Sequence, residues 1–368
     1  MNVAVLSCHT PSIIRFRMDM IFAFQDKGHT VVVIGDQPES MWHDYFWKYR
    51  IKYRQVQVIR NTTNPLTDIK SLVSIYKVLK EELPDKLFVY QAKTIVYGGI
   101  AASLLGITEV YPLIAGAGSI FLASSIKGRI VKRILCAEYR FGMKKCPVIF
   151  FQNQDDVSTF RENHILRNQR VHILNGSGVD IERFAKQPLP NRFGILCVAR
   201  LIRDKGIMEY LEACRRLKII KPEIKCMLVG PYDTNPTAIK KEELQPFIDE
   251  NIIEYYGEQQ DVRPFLAQTS VYVLPSYREG TPKSVLEAMA CGKAIVTTDA
   301  PGCRETVQDG VNGFLVPIKN AASVAERVYQ LYMDSDLLKK MAENSCEIAM
   351  ERFDVKKVND SIIETMKL

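Results

Sequence analysis

An α/β architecture of two doubly wound parallel sheets facing an interdomain cleft is the fold this chain predicts, on three observations. Short apolar runs that stop at Gly or Pro alternate with helical patterns from end to end, as strands and crossover helices do in an open parallel sheet. The 368 residues exceed what one hydrophobic core usually organises and fit two domains of roughly 150 to 200 residues each. Between two sets of such runs, Asp180 to Arg192 is charged, contains Pro188 and Pro190, and reads as a linker.

Strands are predicted in the first half at residues 2–7, 30–35, 86–90, 109–114, 148–151 and 170–174. Helices over 68–82 and 94–105 fill two of the gaps. In the second half the apolar runs at 193–198, 224–229, 252–256, 271–274, 294–297 and 313–316 are the strands. The domains expected are an N-terminal one over 1–185 and a C-terminal one over 186–350, with a last helix at 351–368 packing back toward the first. Ligands in such sheets sit beyond the carboxyl ends of the strands.

Net charge is +7, and its distribution says more than its size. Residues 1–190 hold 25 Lys and Arg against 16 Asp and Glu, or +9; the remainder holds 24 against 26, or −2. An anionic partner for the first half follows. Nucleic acid is not favoured, because no recognised binding motif accompanies the charge. Nine scattered cysteines without a CxxC pair indicate neither a disulfide framework nor a zinc site, and fit a reduced, cytoplasmic compartment. The opening Met1-Asn2-Val3-Ala4-Val5-Leu6-Ser7 reads as a first strand and not as a signal peptide. For that reason the sequons Asn61-Thr62-Thr63 and Asn175-Gly176-Ser177 carry no weight.

The first strand runs into Ser7-Cys8-His9-Thr10-Pro11-Ser12, without the G-x-G-x-x-G of a nicotinamide-binding turn, and no Walker A sequence occurs anywhere. Dehydrogenase and ATPase chemistry are therefore disfavoured. After the strand ending at Val198 comes Ala199-Arg200-Leu201-Ile202-Arg203-Asp204-Lys205-Gly206, which sets cations where an anionic ligand should lie. Further on, Arg278-Glu279-Gly280-Thr281-Pro282-Lys283-Ser284-Val285-Leu286-Glu287 carries one carboxylate on a loop and another on the helix that follows. Pro282 suits a first helical position, and free backbone amides there can cradle an anion.

The ordered set Arg200, Lys205-Gly206, Leu228-Val229-Gly230, Tyr256-Gly257, Leu274-Pro275-Ser276, Glu279 to Glu287 and Gly310-Val311-Asn312-Gly313 resembles the retaining glycosyltransferase family 4. Asn175-Gly176-Ser177-Gly178-Val179-Asp180 extends the match toward the domain junction. The resemblance implies the GT-B fold, with Arg200 and Lys205 on the donor diphosphate and Glu279 with Gly280, Thr281 and Pro282 on the donor sugar. It places Glu287, with Val285, at the nucleoside ribose. It also implies retention of configuration without a protein nucleophile, and a UDP-sugar donor. Two fixed cations can stabilise the leaving diphosphate without a metal or other cofactor. The lone Asp-x-Asp, Asp334-Ser335-Asp336, reads as a helix start. No histidine stands in Ala115-Gly116-Ala117-Gly118-Ser119, where relatives place one; of the five, His9 alone follows the first strand.

In the first half, Ile14-Arg15-Phe16-Arg17-Met18 and Arg60-Asn61 through Asn64-Pro65-Leu66 resemble the branch that builds bacterial surface polysaccharides and lipid-linked oligosaccharides. A glycan or polyprenyl-diphosphate-linked sugar is then the acceptor, with Arg17, Gly116 and Gly118 as candidate contacts. Two features point to an anionic membrane surface, peripherally on the inner face of the plasma membrane. Lys127 to Lys145 holds seven cations against Glu138 alone, beside Ile126, Ile130, Ile134 and Leu135. Both tryptophans, Trp42 and Trp47, fall in one short segment, as an interfacial anchor does. A packed helix and an ordinary aromatic cluster explain the same residues equally well. Two other functions stay open: a non-hydrolysing sugar-nucleotide epimerase of the same fold, and a non-catalytic glycan- or nucleotide-binding protein.

Overall fold

The computed structural model describes residues 1–59, 64–122 and 125–368. Arg60 to Thr63, which include one sequon and most of a quoted family motif, lie outside the described residues. Two compact units result, one of Met1–Ser177 with Val358–Leu368, the other of Gly178–Lys357.

In the first unit, strands and helices alternate as β1 (Asn2–Leu6), α1 (Thr10–Asp26), β2 (Thr30–Gly35), α2 (Glu39–Trp47), β3 (Lys52–Gln55), α3 (Pro65–Glu82), β4 (Lys86–Tyr90), α4 (Ala92–Leu104), β5 (Val110–Ile114), α5 (Ile126–Gly142), β6 (Val148–Phe151), α6 (Gln154–Glu162) and β7 (Arg170–Ile173). All strands run parallel in the order β3-β2-β1-β4-β5-β6-β7. Side chains alternate across the sheet. Accordingly Val3 and Val5 of β1 join the layer of α1 and α2, while Ala4 and Leu6 join the layer of α3, α4 and α5. Being covered on both faces is why the interior strands read as apolar runs, unlike the edge strands β3 and β7. The α4–α5 crossing is close enough that a Cβ on Gly99 would stand 2.0 Å from the Gly142 carbonyl oxygen, so only glycine fits there.

The second unit contains β8 (Gly194–Val198), α7 (Ile207–Ile220), β9 (Lys225–Val229), α8 (Lys241–Asp249), β10 (Glu254–Tyr255), α9 (Arg263–Leu266), β11 (Val271–Leu274), α10 (Lys283–Ala290), β12 (Ala294–Thr298), β13 (Gly313–Val316), α11 (Ala321–Met333) and α12 (Ser335–Arg352). Its parallel sheet has the order β10-β9-β8-β11-β12-β13. Asp334 caps α12, its side chain accepting the Leu337 N–H at 2.9 Å, which gives the Asp-x-Asp a structural role. The final helix, α13 (Val355–Met366), buries Val358, Ile362, Ile363 and Met366 in the core of the first unit. There Lys86 donates to the Met366 carbonyl at 2.6 Å.

Residues 180–192 are not a free linker. Phe184 is buried in the second unit's core, the Gln187 N–H donates to the Cys291 carbonyl, and Val179 bridges to Asp354. The units consequently divide earlier than the expected 185–186, between Ser177 and Gly178.

Lys293 lies wholly inside this second core, its ammonium 3.4 Å from the Pro188 carbonyl. Burial pushes its pKa down from 10.5 to about 8, with Cys291 opposing. A lysine held below its unfolded pKa destabilises the fold wherever both states are charged, and the penalty fades as pH rises from about 8 to 10.5. Lys293→Met should therefore raise stability at pH 7 by about 1 to 3 kcal/mol. Denaturant unfolding at pH 7 and pH 10 checks this, the gain being expected to shrink at the higher pH.

Candidate active site

In the second sheet the strand order reverses at β8, which has β9 on one side and β11 on the other. Loops leaving the carboxyl ends of β8 and β11 diverge at such a point and open a ligand crevice between them. One loop carries Arg200 and Lys205, the other Glu279.

These two loops are tied together by backbone. The Ser276 hydroxyl donates to the Asp204 carbonyl at 3.0 Å, and the Tyr277 N–H reaches the same oxygen at 2.9 Å. Gly206 closes a 3-10 turn over Arg203–Lys205 with φ +69. A Cβ on it would meet the Pro275 carbonyl oxygen at 2.0 Å, so the turn can press against the β11 loop only through glycine. From the next strand, the Thr298 hydroxyl donates to the Ser276 carbonyl. The Glu279 N–H donates to the Pro301 carbonyl at 2.8 Å. Gly302, at φ +82, backs onto the carbonyls of Glu279 and Gly280, each 2.3 Å from where its Cβ would stand.

The outcome is an ion pair between the Lys205 ammonium and the Glu279 carboxylate, 74 residues apart in the chain. Their side chains are 22% and 11% exposed, so the pair is shielded yet reachable. Arg200 is more open and pairs with Asp233 at 2.8 Å. Burial alone would raise the Asp233 carboxyl, but the Asn235 N–H and the Arg200 guanidinium hold it below its ordinary range. Sequence reasoning passed over Asp233 and Gly302. The signal for Asp233 was its place three residues past Gly230 on another strand-end loop of the same sheet.

Gly280 and Thr281 are buried beside the pair. Pro282 has no N–H to give, and it is the N-cap of α10, one position before the first helical place expected for it, which Lys283 takes. Its carbonyl accepts the Val285 and Leu286 N–H groups at 3.0 and 3.3 Å. Val285 is fully buried, its side chain part of the second unit's core. Glu287 is half-buried on α10, close enough to Tyr272 and Cys291 to influence both.

In the first unit, Arg17, the candidate contact for the acceptor, is buried. It lies two helical turns into α1, about 10 Å from the carboxyl edge of the sheet. Its guanidinium is buried over Tyr90 at 5.1 Å and Phe88 at 5.8 Å, and burial lowers its pKa. Gly116 and Gly118 lie on the loop after β5 with φ +123 and +85. That loop is anchored by the Ala117 N–H on the buried Asp156 carboxylate at 3.1 Å. His9 is the N-cap of α1, its carbonyl accepting the Ser12 hydroxyl at 2.7 Å.

Residues 3–153 match the family model "Glycosyl transferase 4-like", and residues 179–347 match "Glycosyl transferases group 1". Between them these spans take up most of the chain, which belongs to this family of glycosyltransferases and is an enzyme of that class. Among its relatives, the Campylobacter jejuni N,N'-diacetylbacillosaminyl-diphospho-undecaprenol alpha-1,3-N-acetylgalactosaminyltransferase is 29% identical over 95% of this chain and 94% of its own length. An Escherichia coli UDP-Gal:alpha-D-GlcNAc-diphosphoundecaprenol alpha-1,3-galactosyltransferase is 25% identical over 81% of this chain and 79% of its own. The crystal structure of Anabaena HepE in complex with UDP superposes with TM-score 0.81 at 19% identity, each chain covered in full. The fold is GT-B.

Proposed function

We propose that this enzyme transfers a hexose or N-acetylhexosamine, with retention, from a UDP-sugar to a polyprenyl-diphosphate-linked sugar or related glycan in bacterial polysaccharide assembly. The observation that carries the reading is the meeting of Lys205 and Glu279 where the β8 and β11 loops diverge, with Arg200 on the same edge. Relatives named for undecaprenyl-diphosphate sugars, one of them for UDP-galactose, support the substrate classes. When donor enters, Lys205 and Arg200 turn to the diphosphate and Glu279 to sugar hydroxyls. The acceptor hydroxyl bonds to the anomeric carbon as the bond from that carbon to the β-phosphate oxygen breaks, and its proton passes to the departing phosphate. Negative charge grows on UDP and is met by two fixed cations, with no call for a metal. The enzyme works on the cytoplasmic side, at the membrane that holds its acceptor.

Incubating the protein with a panel of UDP-sugars and a polyprenyl-diphosphate-linked sugar should give one acceptor product heavier by one sugar, by mass spectrometry, undiminished by chelator. Conversion of a UDP-sugar to its epimer, with no acceptor present and no transfer, would overturn the reading.

A further inference from the structure

We propose that the outer face of α5 docks this enzyme on the headgroup layer of an anionic bilayer. One face of α5 is committed to the fold, with Cys136, Tyr139 and Gly142 buried against α4 and its neighbours. A surface helix normally spends its apolar residues on that face alone. Here a second stripe, Ile126, Ile130, Ile134 and Phe141, recurs at helical spacing on the other side. These four are 70%, 53%, 55% and 66% exposed. Helical periodicity sets Arg129 and Arg133, both exposed, along one border of the stripe. The helix's one acid, Glu138, is half-buried on the inward side, near Asp68 and Lys93.

Apolar side chains framed by long cations suit a surface that offers hydrocarbon and phosphate at adjacent depths, where such a helix sinks about 5 to 10 Å. The glycine-backed crossing on α4 fixes the stripe to the unit as a rigid ridge. On the other flank of α4, in the same helical layer, Leu66 and Ile69 of α3 are also exposed. Trp47 is exposed too, but α2 belongs to the opposite layer of the sheet. One flat surface cannot take both, so the ridge and not the tryptophan segment is the docking element. The lipid-linked acceptor of the proposed function explains why a bilayer would be present, while the docking face itself stands on the geometry of α5.

Flotation with vesicles of phosphatidylethanolamine and phosphatidylglycerol, against phosphatidylcholine alone, is the test. The protein should float with the anionic vesicles at low salt, not with phosphatidylcholine, and the bound fraction should fall as salt rises. Ile130→Ser with Ile134→Ser, and separately Arg129→Glu with Arg133→Glu, should weaken vesicle binding by about tenfold or more, with the thermal stabilisation by UDP unchanged. No flotation of the unaltered protein, or flotation of both variants equal to that of the unaltered protein, overturns the proposal. So does a dimer, seen by light scattering, that the isoleucine variant dissociates. Vesicle binding without any response to UDP would support docking and strike the proposed donor instead.

Discussion

Replacing Lys205 with alanine is expected to lower kcat for transfer by about 10²- to 10³-fold, with a smaller change in KM. The magnitude is that of removing one preorganised group that meets charge developing in a transition state. Lys205 is suited to this because it is held. Its turn is closed by Gly206, pinned to the β11 loop through Asp204, and its ammonium already sits on Glu279. Glu279→Gln should cost a similar factor through a different route, since Glu279 is proposed to position the donor sugar and is paired with Lys205. The two residues share one contact, so their effects should be non-additive. Lys205→Ala with Glu279→Gln is predicted to lose far less than the product of the single losses, in a double-mutant cycle on kcat. Full additivity would place the two residues in separate roles.

Gly206→Ala carries the largest structural effect. At φ +69 an alanine is strained, and its Cβ would stand 2.0 Å from the Pro275 carbonyl oxygen, so the backbone of one loop must move. The movement falls on the stretch that leads to Glu279. A loss of about 2 to 4 kcal/mol is expected, with transfer activity falling further than the unfolded fraction accounts for. Gly257→Ala separates the two contributions. Gly257 has φ +65 and nothing within 4 Å of an added Cβ, so only the backbone cost of about 1 kcal/mol applies. Calorimetric unfolding of both variants gives the comparison, and equal losses would remove the clash argument.

Most strands were legible because each interior strand is apolar on both faces. The run Ala-Ile-Val-Thr-Thr of β12, for example, is buried throughout. β3 went unpredicted for the opposite reason: it is an edge strand reading Lys-Tyr-Arg-Gln, with Tyr53 alone fully inside. Composition misread 180–192, since charge and proline say nothing of Phe184 entering a core. The same blindness affected Arg17 and Val285. Both were carried over from the family resemblance, and a resemblance does not show that the two side chains are buried in the fold. The opposite holds for Lys205 and Glu279. Their separate positions after strands β8 and β11 were readable, but their contact depends on the sheet order that puts those strands side by side. Arg200 stood out in the sequence, whereas its ion-pair partner Asp233 did not, because no local pattern links the β8 and β9 loops.

The most direct test of the donor site is hydrogen–deuterium exchange with and without UDP. Added UDP should slow exchange in two stretches of the second unit, residues 199–206 and 275–287, and raise the melting temperature. Slowed exchange confined to other segments, or no change at UDP concentrations that fully inhibit transfer, would contradict a donor site at these loops.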